Sequence, residues 1–516
     1  MSYSPALGST ISNTKMRTPE NVSPFSGMCA VCTANCTGTC EIGLSAVRGS
    51  EATFPYRRDI NQFASEKDYP LDFSHLSING RVFGAMGCEE DANEATYPKV
   101  KTETVFGIKN KVKMKMPIIL PAMAKLNWKD YYIGAALAGV SVVIGEDAIP
   151  NDKNIILENG KVVSSPLVEE MVNDFRKYSR GYGDIIMQAS YDDENSGVLD
   201  YVIPKLGVKS VELKFGQAAK GIQGIGRINT IEEALKLQKK GYLLYPDPSD
   251  PKVAENFING KGPIFEKIGK LPIWDEEILK NRIAHLRELG AERICFKTGP
   301  FDPRDTIRIL KIASENEVDL VTFDGAGGGT GNSPVKMMNE WGMPTVNLES
   351  MLYDILKRMD EKGYFLPQVA ITGGIALEDQ MFKALALGAP YINFVAVGRA
   401  AMASAMVGKQ IGELIEAGNI PKEYQRFGNT KEEIFADIRE LKLYYDDAQD
   451  LPTGAVGVYS FISRVTTGIK QLMALNRKFD IKYIDRNDVF PLTDLAADVT
   501  GLDTYEDVYV RELEKL

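Results

Sequence analysis

Histidine is almost missing from this chain of 516 residues, which has only His75 and His285. Neither falls in a motif loop, and His285 sits in an amphipathic helical pattern, so no imidazole acid–base mechanism is expected. Cysteine is scarce too, at six residues, which excludes a disulfide scaffold. No uninterrupted apolar run reaches membrane-spanning length, so no membrane partner is expected. Basic residues are not in excess: 60 Lys and Arg stand against 70 Asp and Glu, a net charge of −10. That balance argues against nucleic acid or an anionic lipid surface as partner. The opening residues M-S-Y-S-P-A-L-G-S-T have no basic stretch leading into an apolar one, so no secretion signal is expected and the cytoplasm fits best. A hydrophobic content of 44% with 25% charged residues is ordinary for a globular protein, and the length exceeds one average domain.

The cysteines that do occur are concentrated. Four of them, Cys29, Cys32, Cys36 and Cys40, fall within twelve residues, C-A-V-C-T-A-N-C-T-G-T-C. Thiolates this close, spaced by Gly, Thr and Asn, let the backbone wrap a compact iron–sulfur centre. Structural zinc, which favours two separated pairs, and a thiol or disulfide arrangement are the competing readings. Cys88 could be a further ligand or a packed thiol, and Cys295, inside an apolar strand, reads as core.

The order along the chain is predicted as a Cys-rich segment (1–50), an irregular connecting region packing on its neighbour (51–115), a β/α domain (116–418) and a helical C-terminal extension (419–516). Within the third part, short Ile/Val-rich runs alternate with helical patterns. The strands are predicted at 118–122, 140–144, 184–189, 210–214, 293–297, 320–324, 368–372 and 391–395. Helical patterns fall at 275–289, 303–315, 349–362 and 376–387. Eight such units predict a (β/α)8 barrel of the TIM type. An open doubly wound sheet is the alternative, but polar and Gly residues follow nearly every strand rather than one switch point. Residues 215–274 read as an excursion with some helix, including 230–240. Beyond 420, a charged helix is predicted at 431–448, a break at Pro452 and Gly454, and a second helix at 457–478.

Three loops carry chemistry. After the strand ending at Asp324, Gly325 opens a run with five glycines in seven positions, G-A-G-G-G-T-G, able to lie against a planar or phosphorylated ligand or simply to be a flexible loop. The last two strands lead into Gly373 and Gly374, and into Gly398 and Arg399. Loops after strands seven and eight of such barrels recurrently bind phosphate, with Arg supplying charge-assisted bonds. A ligand with a terminal phosphate and a redox-active ring is FMN. Lys214 and Lys297 end equivalent strands, either at the barrel mouth, where their charge can stabilise an anionic reduced flavin or grip a carboxylate, or at the rim.

The motifs V-T-F-D-G-A-G-G-G-T-G-N-S-P, V-E-L-K-F-G-Q-A-A-K-G and I-T-G-G-I-A-L-E-D resemble the FMN-binding synthase domain of glutamate synthase over roughly 115–410. The resemblance implies FMN with 2-oxoglutarate above it, aminated reductively through 2-iminoglutarate. It places Pro121, Ala122, Met123, Ala124 and Gln188 against the flavin ring. Lys214, Gln217 and Lys297 fall around flavin and oxo-acid, Asp324 and Gly325 in the Gly-rich loop, and Gly373, Gly374, Gly398 and Arg399 at the phosphate. Gly145 and Glu146 match a turn near the substrate. The catalytic set so implied is Lys214, Lys297 and Glu146.

The chain departs from the large glutamate synthases in having no room for a glutaminase domain, no cysteines just after the barrel and no C-terminal β-helix. Its N-terminal cysteine block resembles that of stand-alone archaeal and anaerobe-type members, implying a [4Fe-4S] cluster, with [3Fe-4S] the alternative. Ammonia then arrives free or from a separate amidotransferase subunit, and electrons from ferredoxin or an NAD(P)H-reducing subunit. An oligomer is expected. Two alternatives remain: an FMN oxidoreductase of another keto, hydroxy or amino acid, including an N-methylglutamate-synthase-like subunit, and an electron-relay subunit without turnover.

Overall fold

A computed structural model describes residues 3–5, 15–19, 41–49, 65, 67–123, 126–146, 148–216, 220, 225–262, 264–329 and 333–516. The Cys29, Cys32, Cys36 and Cys40 block lies outside the described residues, as do Ala124 and Gln217.

Eight parallel strands close into a barrel in chain order. They are β1 (Ile118–Leu120), β2 (Ser141–Ile144), β3 (Ile185–Ala189), β4 (Ser210–Lys214), β5 (Arg293–Thr298), β6 (Leu320–Asp324), β7 (Gln368–Thr372) and β8 (Ile392–Ala396). Strand β8 pairs back onto β1, with Ala396 opposite Ile119. Closure settles the choice against an open sheet. Each strand reads as a β-branched run because both of its faces are covered, one by the barrel interior and one by helices. The barrel helices Glu276–Glu288, Pro303–Glu315, Thr345–Glu361 and Glu378–Leu387 occupy the four segments with helical periodicity. Two start at aspartate caps: Asp275 accepts from Ile278 N, and Asp302 accepts from Arg304 N just ahead of Pro303.

The lower end of the barrel is plugged by a hairpin, Thr104–Phe106 with Val112–Met114, and by polar side chains that knit it to the strands. Arg293 donates through Nε to Ser210 Oγ (2.6 Å) and through Nη1 to Asn110 O (3.0 Å), and pairs through Nη2 with Asp184 Oδ2 (3.0 Å). Gln368 accepts from Gly107 N and donates to Val105 O, while Asp319 accepts from Ile108 N and Ile294 N. Buried backbone groups at the barrel's end are thereby satisfied.

The excursion after β4 holds the helix expected at 230–240 and a small sheet beside it. It contains helices Ile231–Lys239 and Pro251–Ile258, and also a three-stranded antiparallel sheet of Ile225–Ile228, Phe265–Ile268 and Leu243–Tyr245. Ile228, Ala234, Leu237, Tyr242, Leu244 and Phe265 form its own small core.

Beyond the barrel, the charged helix predicted at 431–448 is corrected to short helices Lys431–Ile434 and Ile438–Leu441 and a 3-10 turn Ala448–Asp450. The long helix starts earlier than predicted, at Thr453, and runs to Leu475. Its glycines are packing positions and do not break it. A Cβ at Gly454 would lie 2.6 Å from Ala405 O, and one at Gly457 2.4 Å from Ser404 O, so this helix touches helix Arg399–Glu416 backbone to backbone. Farther on, Val489–Pro491 pairs antiparallel with Leu76–Ile78. Among the described residues no helix is long and apolar enough to cross a membrane.

Candidate active site

The C-terminal ends of all eight strands converge on one mouth, and it is lined by those of the described residues that sequence picks out at the strand ends. Side chains alternate along a strand, so Glu212 and Lys214 share the interior face of β4. Lys214 is the cross-strand neighbour of Lys297 on β5, and Gln188 on β3 is the neighbour of Glu212. Both lysines are buried, 7% and 4% exposed, and neither lies at the rim. Each has an acid: Lys214 Nζ is 3.2 Å from Glu146 Oε1, and Lys297 Nζ is 3.2 Å from Asp324 Oδ2. Lys297 Nζ makes no hydrogen bond among the described residues. Gln188 Nε2 donates to Glu212 Oε1 at 2.6 Å.

The loops after β6 and β7 interlock through glycine. Gly325 N donates to Thr372 O (2.8 Å), and Thr345 Oγ1 donates to Gly373 O (2.7 Å). A Cβ on Gly325 would stand 2.3 Å from Thr345 Oγ1. Gly373, at φ +120°, would put a Cβ 2.7 Å from Gly325 O. Side chains are thus excluded and bare backbone is presented to the mouth. At the barrel seam, Gly398 caps the helix that Arg399 begins. It lies beneath Pro121 and Met123, at 3.2 and 3.5 Å from where its Cβ would be. Ala122 packs against Gly145, whose Cβ would approach Ala122 Cβ to 2.7 Å. Pro121 to Met123 is therefore wedged between the ends of β2 and β8.

Sequence reasoning does not single out Lys220, although it lies in the motif V-E-L-K-F-G-Q-A-A-K-G. It is fully buried and donates to Ala326 O (2.7 Å) and Met338 O (2.8 Å). Burial drives its pKa down to about 8, with Asp324 opposing and Arg399 adding to the fall. Burial also lowers Arg399, again against the pull of Asp324. Asp324 therefore faces three cations, Lys297, Lys220 and Arg399, which leaves this side of the mouth positive. Tyr69 Oη donates to the same Ala326 carbonyl (3.3 Å), so the segment before the barrel rests on the Gly-rich loop.

The opposite side is acidic. Asp193, in the first turn after β3, is fully buried. Its pKa is pushed up to about 8 by burial first, with nearby Glu146 adding to the rise. Its Oδ2 accepts from Ser190 N and Oγ, whereas Oδ1 has no hydrogen-bond partner among the described residues. With the folded pKa above the unfolded one, the native state holds the extra proton between about pH 4 and 8, so this group's stabilisation is lost as pH rises through that window. Asp193→Asn is expected to remove a pH-dependent term on the order of 5 kcal/mol, read as a flattened urea-midpoint profile from pH 5 to 8. An unchanged slope would show that Asp193 is ionised.

The two histidines are structural. His75 completes the cap of a 3-10 turn with Asp72, and His285 Nε2 lies 2.8 Å from Asp200 Oδ1 on the outer surface. Cys295 is buried, its thiol pushed well up by burial, and Cys88 is half-buried against the core. Among the described residues no three His, Cys, Asp or Glu side chains gather as a metal site.

Residues 270–409 match the family model described as the conserved region in glutamate synthase. Over that span the chain is similar to glutamate synthase. The matched span runs through β5 to β8 and holds Lys297, Asp324, the interlocked glycines and Arg399. No curated protein matches the chain. Solved structures similar in fold include a doubly substituted flavocytochrome b2 with sulfite bound, 14% identical over 85% of this chain and 81% of that one, at a TM-score of 0.46. The flavin-binding domain of baker's yeast flavocytochrome b2 is 15% identical over 85% and 81%, at 0.46. A soluble mutant of (S)-mandelate dehydrogenase from Pseudomonas putida is 13% identical over 81% and 88%, at 0.43.

Proposed function

We propose that the chain is an FMN-dependent oxidoreductase of the glutamate synthase type that reductively aminates 2-oxoglutarate. The observation that carries this reading is the pair of neighbouring buried lysines, Lys214 and Lys297, each beside an acid, at a mouth rimmed by interlocked glycine loops. The residues fit FMN on two observations of this site. Lys297 Nζ is buried beside Asp324 at 3.2 Å but makes no hydrogen bond among the described residues, so it has N–H groups to offer a ligand. The bare backbone at Gly325, Gly373 and Gly374, beside Arg399 at a helix start, suits a phosphate.

When bound, FMN supplies two electrons at its ring. Gly373, Gly374, Gly398 and Arg399 hold the phosphate. Pro121, Ala122 and Met123 flank the ring with Gln188, and Ala124 and Gln217 are assigned with them. Lys297 faces the negative charge that accumulates on reduction, and Lys214 holds a substrate carboxylate or the flavin. Glu146, held by Lys214, orders the substrate or relays a proton. Ammonia condenses with 2-oxoglutarate to 2-iminoglutarate with loss of water. Two electrons and two protons then convert the imine to glutamate. Cys29, Cys32, Cys36 and Cys40 are proposed to hold an iron–sulfur cluster, and ferredoxin or an NAD(P)H-reducing subunit to supply electrons.

The test is anaerobic. The purified holoprotein is reduced chemically, mixed with 2-oxoglutarate and ammonium, and followed by flavin absorbance and glutamate assay. Reoxidation that needs both compounds and yields glutamate is the expected result. A flavin that stays reduced overturns the free-ammonia form, and reoxidation by a different acid overturns the substrate.

A further inference from the structure

Inside the barrel, one contact joins a residue assigned to the flavin ring to one with no assigned role. Gln188 points its amide nitrogen at Glu212, 2.6 Å away, and both side chains are buried, 3% and 2% exposed. The two are cross-strand neighbours on β3 and β4, one layer below Lys214 and Lys297. A buried carboxyl in a strand otherwise made of Ser, Val, Leu and Lys is costly unless it serves a partner. Burial raises Glu212, and the charges of Lys297 and Lys214 act against that rise.

A carboxamide has one donor end and one acceptor end, whereas an ionised carboxylate only accepts. Once Glu212 takes one N–H of Gln188, the amide is held in one orientation, and its carbonyl oxygen Oε1, on the side away from Glu212, is the acceptor it offers a ligand. We propose that Glu212 is a positioning residue that fixes the amide of Gln188, so that the site selects a ligand ring offering an N–H donor at that point. This rests on the FMN reading above and deepens it, since the oxidised flavin ring carries a single N–H, at its imide. The same geometry discriminates against rings that present only acceptors there. Glu212 touches no ligand and acts through Gln188.

The experiment compares binding of FMN and of 3-methyl-FMN, in which that N–H is blocked, to flavin-stripped full-length protein, read by quenching of flavin fluorescence. Wild type is expected to prefer FMN by about tenfold or more, the effect of leaving one buried acceptor unpaired. Glu212→Gln frees the amide of Gln188 to turn, and the preference is expected to shrink to within about twofold. The double exchange Gln188→Glu with Glu212→Gln again leaves an acceptor oxygen at position 188, and is expected to restore the preference. A merely structural pair would lose stability in Glu212→Gln without changing the ratio.

If wild type binds neither flavin, the FMN reading fails. If it binds both equally, or if Glu212→Gln discriminates as wild type does, the positioning role is overturned while the FMN reading stands. The wild-type comparison and the double exchange keep the test decisive should Glu212→Gln fold poorly.

Discussion

Replacing Lys297 by methionine is expected to slow both reduction and substrate-dependent reoxidation of the flavin by about 10²–10³-fold, the usual loss when one preorganised charge is removed from where charge develops. Stability should fall far less than the rates. Lys297 Nζ makes no hydrogen bond among the described residues, so the substitution removes only its 3.2 Å ion pair with Asp324, and methionine keeps most of its length. Its acid, Asp324, still faces Lys220 and Arg399, both of which respond to its charge. Stopped-flow absorbance gives the rates and thermal unfolding the stability. A variant that melts early but turns over normally would make Lys297 a structural residue. The pattern matters because Lys214, its cross-strand neighbour, sits beside Glu146 instead. Lys214→Met is therefore the control for a residue argued to hold a carboxylate: its effect should appear in the KM for the oxo-acid as well as in kcat.

The opposite pattern is expected at the other end of the barrel. Arg293→Ala should destabilise the protein by about 3–5 kcal/mol, the range for breaking a buried charged pair from one side, while leaving turnover per folded molecule unchanged. The guanidinium joins Ser210, Asn110 and Asp184, hence two strands, the plugging hairpin and the loop before β3. Removing it leaves the Ser210 hydroxyl bonded to Asp184 but takes the charge partner from that carboxylate and opens a cavity. Arg293→Lys should recover less than half of the loss, since an ammonium cannot span three partners set for a planar fork. Urea unfolding followed by circular dichroism measures the change, and flavin content of the folded fraction separates it from the site. A fall in turnover without loss of stability would contradict this division, in which the upper end of the barrel does chemistry and the lower end holds it together.

The barrel was legible because its strands are apolar on both faces and its helices have strong periodicity. Runs such as V-S-V-V-I and Y-I-N-F-V have no other stable location. The mouth was legible where a side chain ends a strand, as Lys214, Lys297 and Asp324 do. It was opaque where the chain leaves the strand. Lys220 lies six residues past Lys214, and nothing in local spacing tells that its ammonium returns to Ala326 and Met338. Asp193 reads as an ordinary first-turn acid, and only the burial of its helix end and the approach of Glu146 set it apart. The sheet within the excursion was hidden because its strands are three or four residues long, too short for a period of two to register. The stretch 431–448 misled for the opposite reason. Its charges suit a helix and its apolar residues Ile434, Phe435, Ile438 and Leu441 fall at helical spacing, but the backbone leaves helical geometry at Phe435 (φ −91°, ψ 86°) and divides the stretch.

The pairing of Leu76–Ile78 with Val489–Pro491 has a bearing on how the molecule is assembled. Strands β1 to β8 can zip up in order as they are made, each meeting a neighbour already present or soon to follow. The segment around residue 76 has to wait for a partner more than four hundred positions away, and the long helix Thr453–Leu475 arrives only shortly before it. Such distant pairing is slow. A nascent chain therefore passes through a period in which the barrel is complete but the edge at Leu76–Ile78, though it can already rest on helix Glu378–Leu387 through contacts such as Lys383 Nζ to Phe73 O, has no strand beside it. The final clasp is the step at which this protein is most exposed to aggregation, and the step a chaperone would have most reason to attend.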